Sequence, residues 1–272
     1  MPVFNFDFFI TTPSLFFGTI FIVGTFFGSF LNVILYRHGR KKESWFKGRS
    51  HCEYCSKPIA WYDNIPLLSY LLLGGKCRHC HQQISLIHPM HEFLTGSLFV
   101  FSGWLVMNTA FFDLWSQTPP LWAFIYLALV NSFLWLVLLF DLKYMLIPDP
   151  LVTMLSILAI VKLLFFFSWS AVIVALVIFL FFLALYFGTK KKGFGLGDVK
   201  LILPLTLILG YPNSIIGVFF AFIIGGIWGI ILLAIGKKKI GQVLPFGPFL
   251  VVGAWIAMVC GEQLWQAYWQ LL

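Results

Sequence analysis

The sequence predicts an all-α polytopic membrane protein with about eight transmembrane helices and one polar cytoplasmic loop. Three observations carry that prediction. Only 10% of the 272 residues are charged and 60% are hydrophobic, whereas a soluble domain carries about 25% charged residues. Uncharged runs such as 170–188 are long enough to cross a hydrocarbon layer of ~30 Å. The basic residues gather in a few segments, as positive-inside loops do. Solidly apolar runs exclude a transmembrane β-barrel, whose strands alternate. The scarcity of charge excludes a soluble enzyme, a nucleic-acid-binding domain and a secreted disulfide scaffold.

The elements follow in order. The first span, 13–36, ends at Arg37, Arg40, Lys41 and Lys42, which sets its start outside and the polar segment 37–91 in the cytoplasm. No basic leader precedes this run and no small-residue cleavage site follows it, so it is expected to stay as a span. Further spans are expected at 92–112, 121–140, 148–167, 170–188, 199–209, 214–235 and 248–269. Eight crossings leave both termini outside. On this topology 17 of the 18 lysines and arginines lie inside, and Lys162 alone sits near an outer end, from which it would snorkel. The run 199–209 spans only roughly 16 Å as a helix, so a crossing there draws Asp198 into the membrane. Gly225, Gly226 and Gly229 suggest close helix packing, and Cys260 reads as a small apolar filler.

Of the ten acidic residues, Asp141 and Asp198 stand apart. Asp141 closes an apolar run at the inner end of one span, and Asp198 opens another on the same side. Ionisable groups at membrane depth are costly and default to functional candidates. Two carboxylates sharing a proton can activate water. The bland alternative has each aspartate paired with Lys143 or Lys200, or Asp198 as a helix N-cap. Gly193, Gly195 and Gly197 lack Cβ, so another backbone, such as an extended peptide substrate, can approach. Helix polarity suggests division of labour: Asp141, at a helix C-terminus, would hold the shared proton, and Asp198, at an N-terminus, would act as base.

The segment 37–91 carries Cys52-x-x-Cys55 and Cys77-x-x-Cys80. Four thiols in two such knuckles suit a tetrahedral structural zinc in a ribbon-like loop, and a reducing compartment argues against disulfides. Four cysteine ligands leave no open position for catalysis. His51, His79 and His81 are neighbouring competitors. A loop this small gains folding free energy from a metal. Asp149 and Glu92 both read as helix-start residues.

The strings FDLKYMLIPD at 140–149 and GFGLGDVKL at 193–201 resemble the two motifs of type IV prepilin peptidases, membrane aspartic proteases of the GxGD class. GSFLNV at 28–33 with Tyr36 and Arg37, WYDNIP at 61–66 with Ser69 and Tyr70, and PFGP at 245–248 extend the resemblance along nearly the whole chain. Two departures are visible. HGRK at 38–41 stands where the family often has Leu-Pro. His88-Pro89 precedes Glu92 where the family often has Tyr-Pro.

The resemblance implies a first transmembrane helix (1–36), a methyltransferase-associated four-cysteine loop (37–91) and a membrane-embedded aspartic peptidase (92–272). It implies Asp141 and Asp198 as the catalytic pair, cutting the basic leader of prepilin or pseudopilin substrates at the cytoplasmic face of a bacterial inner membrane. It also implies N-methylation of the new N-terminus with S-adenosylmethionine. No glycine-rich nucleotide unit marks that cofactor's site, and Trp61, Tyr62 and Asn64 are the candidate pocket residues. A peptidase without methyl transfer is one alternative, and a proton- or cation-coupled transporter is another.

Overall fold

The computed structural model describes residues 13–38, 48, 50–108, 119–189, 195–236 and 244–271. Of the basic residues that orient the spans, Arg40, Lys41, Lys42, Lys47, Arg49, Lys190, Lys191, Lys192, Lys237, Lys238 and Lys239 lie outside the described residues, as does Gly193. Among the described residues every regular element is helical, apart from two isolated bridges, His51 with Pro58 and Lys76 with Gln83. The chain divides into two compact units, Met1–Trp104 and Leu105–Leu272.

In the first unit, α1 (Pro13–His38) is followed by the four-cysteine loop, a 3₁₀ turn (Trp61–Asn64) and the short α2 (Leu68–Leu72). The helix α3 (Ile87–Asn108) closes this part of the chain. It starts five residues before the expected span, so Glu92 lies inside a helix and not at its start. Glycines let α1 and α3 approach closely: a Cβ on Gly24 would lie 2.8 Å from the Gly96 Cα, and one on Gly28 would lie 3.0 Å from the Glu92 Cα. Asn32 of α1 fastens the crossing, its amide donating to the His88 carbonyl at 3.0 Å and its oxygen meeting His91 Nδ1 at 2.7 Å.

The second unit holds α4 (Pro120–Tyr144), α5 (Asp149–Phe165), α6 (Trp169–Gly188), α7 (Leu196–Leu209), α8 (Asn213–Ala234) and α9 (Gly247–Leu271). With α1 and α3, these eight long helices fall on the eight expected segments. Five of them, in α1, α4, α6, α8 and α9, are long and apolar enough to cross a membrane by length and composition. The chain is therefore a multi-pass membrane protein. The remaining α5 and α7 have 17 and 14 residues, and α3 begins with His88, His91 and Glu92.

The helices α4 and α7 form the inside of this unit. Leu134, Leu136, Val137 and Phe140 of α4 and Leu201, Ile202 and Ile208 of α7 are fully enclosed. By contrast, α6 and α8 expose most of their apolar surface, as lipid-facing helices do. The two helices that carry the aspartates are thus the ones the rest of the unit packs around.

The tight α8–α9 crossing uses a different stripe from the one expected. A Cβ on Gly253 would collide with the Gly217 carbonyl oxygen and sit 3.0 Å from the Ala221 amide. Gly217 and Ala221 therefore meet Gly253 and Ala257, the small-residue packing of membrane helices, while Gly261 meets Asn213 and Gly225 meets the Phe246 and Phe249 rings. Of the expected glycines Gly225 thus packs closely, but Gly226 and Gly229 face open space.

Lys162 is also not where the sequence reading puts it. It is 5% exposed and its ammonium donates to the Ile208 carbonyl at 2.6 Å. A cation at the carboxyl end of α7 complements the helix dipole and satisfies a carbonyl left over at a helix end. That contact is internal to the protein, so the side chain does not snorkel to an interface.

Candidate active site and metal centre

Asp141 lies in the last turn of α4 and Asp198 in the first turn of α7. They are 5% and 7% exposed. Each is positioned by a helix end. The chain leaves α4 at Met145, whose left-handed φ of 50° returns its amide to the Asp141 carbonyl at 2.9 Å. The following Ile147 and Pro148 lead into α5. Ile147 packs on Gly197, where a Cβ would come within 3.1 Å of the Ile147 Cβ. The two aspartate-bearing segments are therefore in direct contact.

Asp198 is the third residue of α7 and not its N-cap, which is Gly195. Its Oδ2 reaches back to accept from the Gly195 amide at 3.2 Å, one half of a capping box. Gly195 and Gly197 thus give room to Asp198 and Ile147 of the protein itself, rather than to a foreign backbone.

The group that unites the pair is not visible in either motif. The Gly247 amide, at the first residue of α9, donates to Asp141 Oδ2 at 2.9 Å. Asp198 interacts with the same amide and with Asp141. The Phe246-Gly247-Pro248 entry explains itself here. A Cβ at position 247 would stand 2.7 Å from Asp141 Oδ2, and Pro248 occupies an early helical position where no amide is needed. Both carboxyls therefore face the amino end of a helix, and the helix-polarity argument for dividing their roles does not hold. Among the described residues neither aspartate has a cationic partner. Lys200 pairs with Asp149 at 2.7 Å, and Lys143 lies over the Tyr144 ring at 5.1 Å.

The first unit carries the second centre. The sulfurs of Cys52, Cys55, Cys77 and Cys80 all lie within 4.8 Å of one another, with Cys52 and Cys80 3.8 Å apart. Tetrahedral zinc with Zn–S bonds of about 2.3 Å spaces its sulfurs roughly 3.8 Å apart, so the cluster fits that ion. His51, His79 and His81 are not members. The two knuckles repeat each other. In each, the fourth residue after the first cysteine has a positive φ (Ser56, 55°; His81, 56°) and returns its amide to that cysteine's carbonyl at 3.0 Å. In the second knuckle the Cys80 and His79 amides hold the Cys77 thiol down to about 7, which favours the thiolate a metal needs.

This second knuckle also fixes the 3₁₀ turn. Arg78 makes a two-pronged pair with Asp63 at 2.6 and 2.8 Å and lies over the Tyr62 ring. The Arg78 guanidinium holds the Asp63 carboxyl below its usual range. Trp61 and Tyr62 are 76% and 50% exposed and stand outside the cavity that the unit encloses. Asn64 lines it. The cavity, of about 230 Å³, is walled by Asn32 and Tyr36 of α1, by both knuckles and by His88 and Glu92 of α3.

Fold and site together define a multi-pass membrane protein with a buried carboxylate pair and a separate four-thiol clasp. Residues 128–230 match the model of the type IV leader peptidase family, and residues 22–106 match that of the bacterial peptidase A24 N-terminal domain. Three similar proteins carry the name prepilin leader peptidase/N-methyltransferase. That of Aeromonas hydrophila is 31% identical, covering 94% of each chain. That of Stutzerimonas stutzeri is 28% identical over 97% of each. That of Bacillus subtilis (strain 168) is 30% identical over 81% of this chain and 85% of its own. No solved structure matches. The chain belongs to the type IV leader peptidase family.

Proposed function

We propose that this protein cleaves the basic leader of prepilins or pseudopilins with Asp141 and Asp198 and then N-methylates the new terminus. The observation supporting the first activity is the meeting of two buried carboxyls from α4 and α7 around one backbone amide, with no cation to neutralise them among the described residues. Like charges so close share a proton. The unprotonated carboxylate takes a proton from water, and the protonated one hydrogen-bonds the scissile carbonyl. The dyad titrates as a unit, so the shared proton belongs to both. The Gly247 amide fixes the Asp141 carboxylate and leaves its other oxygen for chemistry.

The same reading assigns peptidase chemistry to 92–272, methyl transfer to 37–91 and the first membrane anchor to 1–36. It places both termini outside a bacterial inner membrane and the carboxyl pair toward the cytoplasm, with the clustered lysines and arginines supporting that orientation. The four cysteines hold a structural zinc, which stiffens the loop and supplies no catalytic position. S-adenosylmethionine is the methyl donor. Of the expected pocket residues, Asn64 is the one that lines a cavity, and Trp61 and Tyr62 stay outside it.

The experiment is co-expression with a pilin precursor in cells lacking their own leader peptidase, followed by mass spectrometry of the pilin N-terminus. The expected product is shortened to the mature helix and carries one added methyl group. Shortening without the methyl group leaves a peptidase alone. An intact leader refutes the reading.

A further inference from the structure

We propose that the cavity of the first unit is the methyl-transfer site and that Glu92 is the group that binds and deprotonates the peptide's amino terminus. The inference rests on the methyltransferase reading above and names the residue through which that activity works.

The Glu92 carboxylate projects from α3 into the cavity beside Asn64 and His88. One oxygen accepts from the Leu67 amide at 2.9 Å, and the Ser29 hydroxyl of α1 also reaches the group. Among the described residues Glu92 makes no ion pair. His88, one turn earlier on α3, acts on Glu92 electrostatically while its ring pairs with Glu53 at 3.5 Å. An ionised carboxylate has about four acceptor sites, and the Leu67 amide and Ser29 hydroxyl take two of them, so Glu92 can still accept from an ammonium in the cavity.

The local backbone points the same way. Leu67 presents its amide to Glu92 from a strained γ-turn, φ 59° and ψ −48°, closed by the Leu68 amide on the Pro66 carbonyl at 2.6 Å. Strain of this kind persists only where the surroundings over-determine it, and it clusters at ligand clamps and active sites. Here Leu67 opens α2 while its amide fixes one Glu92 oxygen. The walls are rigid as well, since Asn32 locks α1 to α3 and the knuckles are clasped by four thiols. Asn64 lines the same space.

The chemistry requires an anion there. Both reactants are cations, a peptide α-ammonium and a sulfonium methyl donor. The α-ammonium gives one proton to Glu92. The freed nitrogen lone pair attacks the methyl carbon, the N–C bond forms as the C–S bond breaks, and the bonding electrons leave on sulfur as a neutral thioether. The product nitrogen is a methylated ammonium and Glu92 is a neutral acid, so charge and atoms balance.

The test uses the full-length protein in detergent. A fluorescent peptide with a free N-terminus, carrying the first residues of a mature pilin, is titrated beside its N-acetylated twin. Wild type is expected to bind the free amine at least tenfold tighter, and Glu92→Gln, which keeps the acceptor for Leu67, is expected to lose that preference. Methylation by Glu92→Gln should fall at least a hundredfold with its melting temperature and zinc content unchanged. Equal binding of the two peptides by wild type overturns the proposal without any variant. Methylation by Glu92→Gln at the wild-type rate overturns it too. A wild-type protein that methylates no peptide refutes the methyltransferase reading itself, a result separate from either.

Discussion

Replacing Gly247 with alanine tests the amide that joins the two aspartates. The added Cβ would stand 2.7 Å from Asp141 Oδ2, 3.3 Å from its Cγ and 3.4 Å from its Cβ. The carboxylate must retreat by about half an ångström to restore ordinary contact, and the 2.9 Å bond from the Gly247 amide is lost or bent. A hydrogen bond to a charged group contributes about 1.5–3 kcal/mol. Converted at about 1.4 kcal/mol per tenfold, that is a roughly ten- to hundredfold fall in kcat/KM for leader cleavage. Gly226→Ala is the control, because a Cβ at 226 meets nothing within 4 Å. The assay is the gel shift of a pilin precursor with purified protein in detergent. Gly247→Ala cleaving within threefold of wild type, with Gly226→Ala indistinguishable from both, would refute the argument that this amide organises the pair.

Other outcomes follow from the same geometry. Gly253→Ala forces a methyl group against the Gly217 carbonyl and should lower stability by about 1–3 kcal/mol, as overpacking does, read as a drop in melting temperature. An unchanged melt would show that the α8–α9 crossing has room to spare. Cys52→Ser, or a strong chelator, should release one zinc per chain and abolish methyl transfer while leaving leader cleavage within a few-fold of wild type. A zinc on the four cysteines would supply folding free energy to the first unit, and the carboxyl pair lies wholly in the second. Metal analysis by mass spectrometry, run beside both activities, reads this. A protein that contains no metal when purified without chelator contradicts it.

Most of the fold is legible in the sequence because apolar runs of span length can form little besides helices in a bilayer. What the sequence misplaces are ends and partners. It suggests that α3 starts at Glu92, an acid suited to a first turn, although the helix begins at Ile87 and takes Pro89 into its first turn. It suggests Asp198 as an N-cap, yet Gly195 serves there and Asp198 reaches back to it. Asp141 and Asp198 stand out as acids at membrane depth, whereas their shared amide belongs to Gly247, 106 residues beyond Asp141. No local pattern reports a contact of that range. Lys162 looks like an interfacial lysine because nothing near it in the chain reveals α7 as its partner. The cysteine spacing discloses the four-thiol cluster, but not that Arg78 inside it grips Asp63 and so positions the turn holding Asn64. Trp61 and Tyr62 draw attention as aromatics, and their exposure shows why composition alone does not define a pocket.

The claim at the centre of the account is that two carboxyls from separate helices act on one water. Asp141→Asn and Asp198→Asn, each made alone, test it most directly when cleavage and methylation are followed on the same preparation. General acid–base chemistry contributes about 10²–10⁴-fold, so each variant should cut leader cleavage at least a hundredfold and still methylate a peptide supplied already mature. Leader cleavage by Asp198→Asn at a rate near wild type would contradict it.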